Sequence, residues 1–410
     1  MQHTDSEFTP VILGTGINAY GIARALHEYY GVTAIALGRA PLRETSQSSI
    51  IDVRVSRDFA DESALVAALL DLAQELPGKK LILLPTIEAY TTAVLRHREA
   101  LSQAYLIPLV PTPLSEKLIN KAQFYTTCAE LGIPHPVTLA VTQEDVESGV
   151  FSRPLTFEFP VILKPSDTEV YPGLNFPGQK KIYLCATADQ LLADAQRIYA
   201  GGYVGELIVQ EYLAGDERVM HVANTYSDQH GKTKYVSIAQ IVLAEHNPKL
   251  VGNMNAVVTV DEPQLAQDIT RLLDSLGYVG PANFDVMYDP RTQTHKLLEL
   301  NVRQGAASYY ATATGHNLPA LYVRDLIANE ELTLDVPAEK IFWRNVPTVV
   351  AARYIPKSLK PLVKEGRKNA TVHTLWYSKD LNFKRIVNLV KHELHTAKNV
   401  ITSEKFRINK

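Results

Sequence analysis

The stretch Pro281–Gly305, PANFDVMYDPRTQTHKLLELNVRQG, decides how the rest of this chain is read. Two apolar runs flank DPRTQT, where Pro290 and its polar neighbours suit a turn, so the segment is expected to form an antiparallel hairpin. Asp285 and Glu299 stand equally far from Thr292, the middle of that turn, and should face one another across the ladder. Side chains alternate along a strand, so Glu299, Asn301 and Arg303 share one face while Leu298, Leu300 and Val302 share the other. Opposed carboxylates repel unless something positive lies between them. Two carboxylates and an amide oxygen are hard ligands of the kind that hold Mg²⁺, and Arg303 would fork onto a phosphate or carboxylate oxygen. A solvent-facing strand with ordinary ion pairs produces the same cluster, so the hairpin alone leaves both readings open.

Towards the N-terminus, the apolar runs Val11–Leu13, Ala34–Leu37 and Leu81–Leu84 alternate with helical stretches such as Ser63–Glu75, which reads as a parallel α/β sheet. The proline-spaced segment YLIPLVPTPLSEKLINKAQFYTTCAELGIPHP marks a domain junction and holds a helix expected to open at Ser115 and close near Gly132. Beyond it, PVILKP, KKIYLC, ELIVQEYL, RVMHVANTYS, KYVSIAQIVL, ANFDVMYD and HKLLELNV are strand candidates of a mixed α+β region with antiparallel pairs.

Composition narrows the class. With 410 residues, 46% hydrophobic and 21% charged, the chain is long enough for two or three cores and is not disordered in type. Cys128 and Cys185 are too few and too far apart for a disulfide scaffold or a zinc site, which fits a reducing compartment. The start, MQHTDSEFTP, lacks the basic and apolar blocks of a signal peptide, and no apolar run has bilayer length, so the expected location is the cytoplasm. The net charge of −3 hides fourteen Lys or Arg against four Asp or Glu in residues 353–410, a basic tail on an acidic body. That asymmetry points to an anionic surface or substrate and away from nucleic acid. Within the tail, Phe383, Ile386, Val387, Val390, Leu394, Ala397 and Ile401 recur at helical spacing, with Lys384, Arg385, Lys391 and Lys398 expected elsewhere on the surface. Such a helix lies on anionic lipid or packs on the protein's own core, and the sequence admits both.

Three further stretches carry chemistry. Lys164 ends the apolar run FPVILK, where an ammonium is costly unless it meets an anion. In LIVQEYLAGDE, an apolar strand runs into Gln210 and Glu211 and halts at Gly215, a hinge able to take a purine edge while Asp216 or Glu217 reaches ribose hydroxyls. An edge strand with a polar end is the plainer reading of that stretch. GTGINAYGIARAL, Gly14–Leu26, resembles a dinucleotide turn, but its third glycine comes too late, and AIALGRAP offers Arg39 where a nicotinamide site needs an acid. A nicotinamide-dependent oxidoreductase is therefore the weaker alternative.

Lys121 in INKAQFY, Lys164 in VILKP, the hinge VQEYLAG, Asp285 in ANFDVMYD and the strand ELNVRQG stand in the order and spacing of the ATP-grasp carboxylate-amine ligases, and the resemblance covers nearly all of residues 8–345. Among those, FTPVILGTGINAYGIAR, LINKAQFY, FEFPVILKPSD, AGDERVMHVANTYSDQHG and NVRQGAASYY most resemble the D-aspartate ligases of peptidoglycan cross-bridges. The resemblance implies an α/β pre-ATP-grasp substrate domain over 1–115, an ATP-grasp domain of two α+β subdomains over 116–335 with its lid at about 155–210, and a basic extension over 336–410. It implies that Lys121 and Lys164 contact ATP phosphates, that Gln210, Glu211 and Leu213 line the adenine with Asp216 and Glu217 near the ribose, and that Asp285, Glu299 and Asn301 hold Mg²⁺ or Mn²⁺. Arg303 would sit at the transferred phosphoryl group.

The implied substrates are ATP, the β-carboxylate of D-aspartate and the lysine side-chain amine of a peptidoglycan precursor. An acyl phosphate would form and the amine displace phosphate. Phosphorylation supplies the leaving group a carboxylate lacks, and no G-x-S-x-G elbow competes for the role of nucleophile. Gly16 and Asn18 then become candidates for the substrate carboxylate, with packing of the turn on the sheet as the plainer role. Glu88, after a predicted strand, is the candidate for the substrate ammonium, or else an ordinary charge at a helix start. The chain departs from the superfamily after Lys164, where SDTEVYPGLNFPGQKK has only Gly173 and Gly178 in place of a glycine-rich loop, with Lys180 or Lys181 as candidate helpers. Another amino-acid substrate, or a non-catalytic nucleotide-binding regulator, are the remaining alternatives, and the complete set of acids and lysines argues for turnover.

Overall fold

A computed structural model describes residues 8–149, 156–166, 170–247 and 252–407; the polar start of the chain and residues 167–169 of the loop after Lys164 lie outside them. The chain divides into two units. The first comprises residues 1–112, 216–283 and 301–410, and the second 113–215 and 284–300.

The first unit opens with five parallel strands, β1 (Phe8–Leu13), β2 (Ala34–Gly38), β3 (Ile51–Val55), β4 (Lys80–Pro85) and β5 (Tyr105–Leu106), in the order β3-β2-β1-β4-β5. β1 and β2 are buried along their whole length, as in a sheet covered on both faces, which is why they read as unbroken apolar runs. The strand order reverses between β1 and β4, and such a switch point opens a crevice at the carboxyl ends of the strands.

The second unit carries four antiparallel strands, β6 (Thr138–Val141), β7 (Val161–Pro165), β8 (Tyr183–Cys185) and β9 (Leu207–Glu211), in the order β6-β9-β7-β8. Leu163, Tyr183, Ile198 and Val209 belong to its own core. The helix expected from Ser115 to Gly132 is two helices, Thr112–Ile119 and Lys121–Glu130. Asn120 parts them: its backbone is extended, and its side chain accepts the amide of Gln123 at 3.1 Å as an N-cap.

The remaining sheet follows the order β14-β13-β10-β11-β12-β15-β16, formed by β10 (Met220–Ser227), β11 (Thr233–Ala244), β12 (Met254–Thr259), β13 (Gly280–Asp289), β14 (Thr294–Asn301), β15 (Phe342–Arg344) and β16 (Thr371–Val372). β13 and β14 are the expected hairpin, and the chain passes from one unit to the other along both. Within the first unit, Tyr20, Leu26, Val222, Tyr226, Tyr310 and Trp343 share one core, so the parallel sheet's helix and the long sheet are packed together. Residues 336–407 are built into that unit: Trp343 is fully buried, and Asp380 accepts hydrogen bonds from Tyr20 at 2.8 Å and from the Ser49 amide at 2.6 Å. The apolar stripe of the helix Phe383–Ser403 does not face the interior; Leu389 and His392 do, and so, against the surface place expected for it, does Arg385, which is fully buried because it meets Asp380 at 2.9 Å.

Candidate active site

Lys121 is the first residue of its helix, where the macrodipole disfavours a cation. Its Nζ donates to Glu299 Oε1 at 2.6 Å. Lys164, near the end of β7, is buried, and its Nζ donates to the Tyr125 hydroxyl and to Gln210 Oε1, both at 3.1 Å. Both partners are neutral. Burial first, and then the charge of Lys121, push the Lys164 ammonium down to about 7 despite the attraction of Glu299. Burial alone would raise the pKa of Glu299, but Lys121, Lys164 and Lys181 together outweigh it and hold that carboxyl below the usual carboxylate range. Three distant segments of the second unit thus bring together two lysines and one acid, an excess of positive charge.

Asp285 lies on β13 and Glu299 on β14, and the electrostatic fields of both reach Tyr125. Asn301 Nδ2 donates to Asn283 Oδ1 at 3.4 Å, from the end of β14 to the neighbouring β13. Two carboxylates and an amide oxygen, half-buried, are a donor set that suits Mg²⁺ or Mn²⁺. An anion fits beside them, because Lys164 has no charge-neutralising hydrogen-bond partner in its two bonds.

The hinge residues divide. Gln210 spends its side chain between Lys164 and Thr138, whose hydroxyl it reaches at 2.8 Å. Glu211 accepts from Lys296, from Arg291 at 2.9 Å and from the Val137 amide at 2.9 Å, so its side chain fastens β9 to the hairpin and only its backbone borders the hinge. Leu213 is half-buried just after β9. Asp216 accepts from Arg218 Nε at 2.7 Å. Glu217 is a correction: it is 1% exposed and held at 2.9 Å by both His246 and Arg407, so its carboxylate serves the interior of the first unit and is closed to a ribose.

The remaining candidates gather at the switch point of the first unit. Gly14 follows β1 with φ +126°, and a Cβ there would lie 2.1 Å from the Thr86 hydroxyl oxygen, so this glycine is required by both backbone and space. Gly16 caps the helix Ile17–Tyr30 and has room for a side chain. Asn18 donates from its buried Nδ2 to Thr86 O at 3.3 Å and Gln304 O at 3.1 Å. Both amide hydrogens are spent on the protein, tying the switch point to the residue beside Arg303. Glu88 is exposed at the first turn of the helix Glu88–Arg96, just past the carboxyl end of β4.

Sequence reading missed the frame that holds the Arg303 segment. Gln304 Oε1 accepts from Tyr322 at 2.6 Å, and its Nε2 donates to Ser308 at 2.7 Å. The Gly305 amide donates to Asn224 Oδ1 at 2.8 Å, and a Cβ on Gly305 would come within 2.9 Å of that oxygen. Asn224 and Asn283 are buried amides within strands, each following an alanine in the same Ala-Asn pair, which was the available signal.

No protein-family model matches the chain. It is 33% identical over 404 residues to the D-aspartate ligase of Enterococcus faecium (strain Aus0004), covering 95% of each chain. Among solved structures, an ADP complex of N5-carboxyaminoimidazole ribonucleotide synthetase is similar with a TM-score of 0.60, at 17% identity and 84% of each chain. The biotin carboxylase domain of the Hydrogenobacter thermophilus 2-oxoglutarate carboxylase, solved with MgADP, gives a TM-score of 0.61 at 15% identity over 80% of this chain and 72% of that one. The Staphylococcus aureus N5-carboxyaminoimidazole synthetase with ADP gives 0.59 at 14% identity over 90% and 88%. At those identities the likeness is one of fold, whereas the sequence match spans the whole chain. The chain therefore belongs to the D-aspartate ligase family of ATP-dependent ligases, with the ATP-grasp fold.

Proposed function

We propose that the protein joins the β-carboxylate of D-aspartate to the lysine side-chain amine of a peptidoglycan precursor, with ATP cleaved to ADP and phosphate, and that it works in the cytoplasm, where ATP is supplied. The single observation that supports this reading best is the buried Lys164, whose Nζ, among the described residues, donates only to neutral groups, both at 3.1 Å, beside a Lys121–Glu299 pair. Such a group is stabilised by an arriving polyanion, and phosphoryl transfer needs that neutralisation more than it needs a protein nucleophile.

In this reading a carboxylate oxygen of the amino acid attacks the terminal phosphorus of ATP, the bond to the bridging oxygen breaks, and ADP leaves. The resulting acyl phosphate is attacked at carbon by the neutral amine. Phosphate departs with the bonding electrons, and the amide nitrogen sheds a proton. Lys121 and Lys164 hold the phosphates, and Arg303, kept in place by the Gln304–Tyr322 bond at 2.6 Å, steadies the transferred group. Asp285, Glu299 and Asn301 would hold Mg²⁺, which when bound neutralises phosphate charge and aligns the in-line displacement. Leu213 and the Gln210–Glu211 backbone border the adenine, and Asp216 is the ribose candidate. Gly16 and Glu88, at the switch point, receive the amino acid, while Asn18, its amide hydrogens spent on Thr86 and Gln304, holds the turn that presents them.

The test is incubation with ATP, Mg²⁺ and a panel of D- and L-amino acids, with and without a lysine-containing precursor peptide, following phosphate release and product mass. D-aspartate should give a peptide heavier by one aspartyl residue. Turnover with a different acid alone would refute D-aspartate while keeping the ligase.

A further inference from the structure

The helix Phe383–Ser403 is built inside out. Its inward side presents Arg385, Leu389, His392, Val400 and Ser403, with Arg385 fully buried against Asp380 at 2.9 Å and donating to Ser46 O at 3.0 Å. Its outward side presents Phe383 at 81% exposure, Leu394 at 66%, Ile401 at 53% and Val390 at 46%, with Ile386 and Val387 between them. At 3.6 residues per turn these side chains fall within an arc of about 100° opposite Arg385, along roughly 27 Å of helix. A helix on a globular protein turns such a stripe to the core, and a continuous exposed one marks an interaction surface.

Charge identifies the occupant. Lys384, Lys391 and Lys398 are exposed and follow one border of the stripe at one-heptad intervals. The acids of the tail are already engaged: Glu365 with Lys340, Asp380 with Arg385, Glu393 with Arg344 and Glu404 with Arg407. A second copy of this face would bring the same lysines and no spare acid to meet them. A lipid surface with anionic headgroups satisfies both halves, taking the Phe and Leu side chains to the headgroup–acyl boundary and the ammonium groups to the phosphates. We propose that the helix Phe383–Ser403 seats this protein on anionic membrane, lying in the plane of the interface.

The test uses the full chain and sedimentation with vesicles, comparing phosphatidylglycerol-rich with pure phosphatidylcholine vesicles. Binding is expected to the former and not the latter, to weaken with salt, and to drop about fivefold for each of Lys384→Gln, Lys391→Gln and Lys398→Gln. The pair Phe383→Ser and Leu394→Ser should cut it more than tenfold while Tm and ligase turnover in vesicle-free solution stay unchanged, since both side chains are exposed and neither is among the residues assigned to the chemistry. Absence of binding, or binding indifferent to both sets of variants, overturns the proposal. A concentration-dependent dimer in sedimentation velocity that the Phe383→Ser and Leu394→Ser pair dissolves, with no vesicle binding, overturns it in favour of a second copy.

Discussion

The second unit contains two clusters made of the same ingredients, lysines and carboxylates on the β13–β14 hairpin and its neighbours. In one, Glu211 and Asp289 are matched by Lys296 and Arg291, with Lys296 to Asp289 at 3.1 Å and Arg291 to both acids at 2.9 Å. Charges there cancel, and the Arg291 guanidinium, then Lys296, hold the Asp289 carboxyl far below its ordinary value. In the other, two lysines share Glu299, and Lys164 leans on neutral oxygens. The closed cluster is complete in itself; in the proposed function the open one is completed by substrate. Residue type does not distinguish them, but the balance of charge does.

That contrast makes opposite mutations informative. Glu299→Gln should lower kcat for ADP release by about a hundredfold or more, because it removes charge from the open cluster and from the metal set; full activity would end the assignment. Lys164→Met should be as inactive, yet raise the Tm of the ligand-free protein by about 2 °C, since it removes a buried cation whose hydrogen-bond partners among the described residues are neutral. Lys296→Met should do the reverse. It leaves Glu211 and Asp289 short of a cation and costs about 3 kcal/mol in chemical denaturation, with turnover of the folded fraction nearly unchanged. Should Lys296→Met abolish turnover without loss of stability, the two clusters are not different in kind.

Two smaller effects sharpen the comparison. Anion binding favours the ammonium form, so a lysine that titrates at about 7 in the free protein must take up a proton when ATP binds above that pH. ATP affinity should be flat below pH 7 and weaken by up to tenfold per pH unit above it, and calorimetry in buffers of different ionisation enthalpy would count the proton. A flat profile to pH 9 would mean that Lys164 is not the phosphate contact. The smallest effect is expected at the exposed Glu88: Glu88→Gln should raise KM for the amino acid about tenfold and leave that for ATP unchanged, and an unmoved amino-acid KM removes it from the site.

Much of the fold was legible because its signals are local. β1, β2, β4 and the hairpin were visible as apolar runs and a proline turn, and their periodicity carries through to the structure. Short strands such as β15, three residues long, and β16 hold too few residues to show a period. The split at Asn120 was hidden inside a continuous helical pattern, since a capping asparagine costs the pattern only one position. In the candidate site, Lys121, Lys164, Asp285 and Glu299 could be named from spacing and resemblance. Glu217 could not be told from its neighbour Asp216, because its burial depends on Arg407, 190 residues away.

What the sequence determined by itself is therefore the alternation of each strand, the existence of the hairpin, and the list of groups able to carry phosphoryl chemistry. The tertiary structure alone decided which of those charges are spent. Lys121 meets Glu299 across 178 residues, Lys296 closes Glu211 across 85, and the stripe of the last helix faces outward because Arg385 found Asp380 on the inner side. The reason is physical: the pleat and the helical turn act over a few residues, whereas the free energy of a charge depends on every dipole and counter-charge that folding brings within a few ångströms.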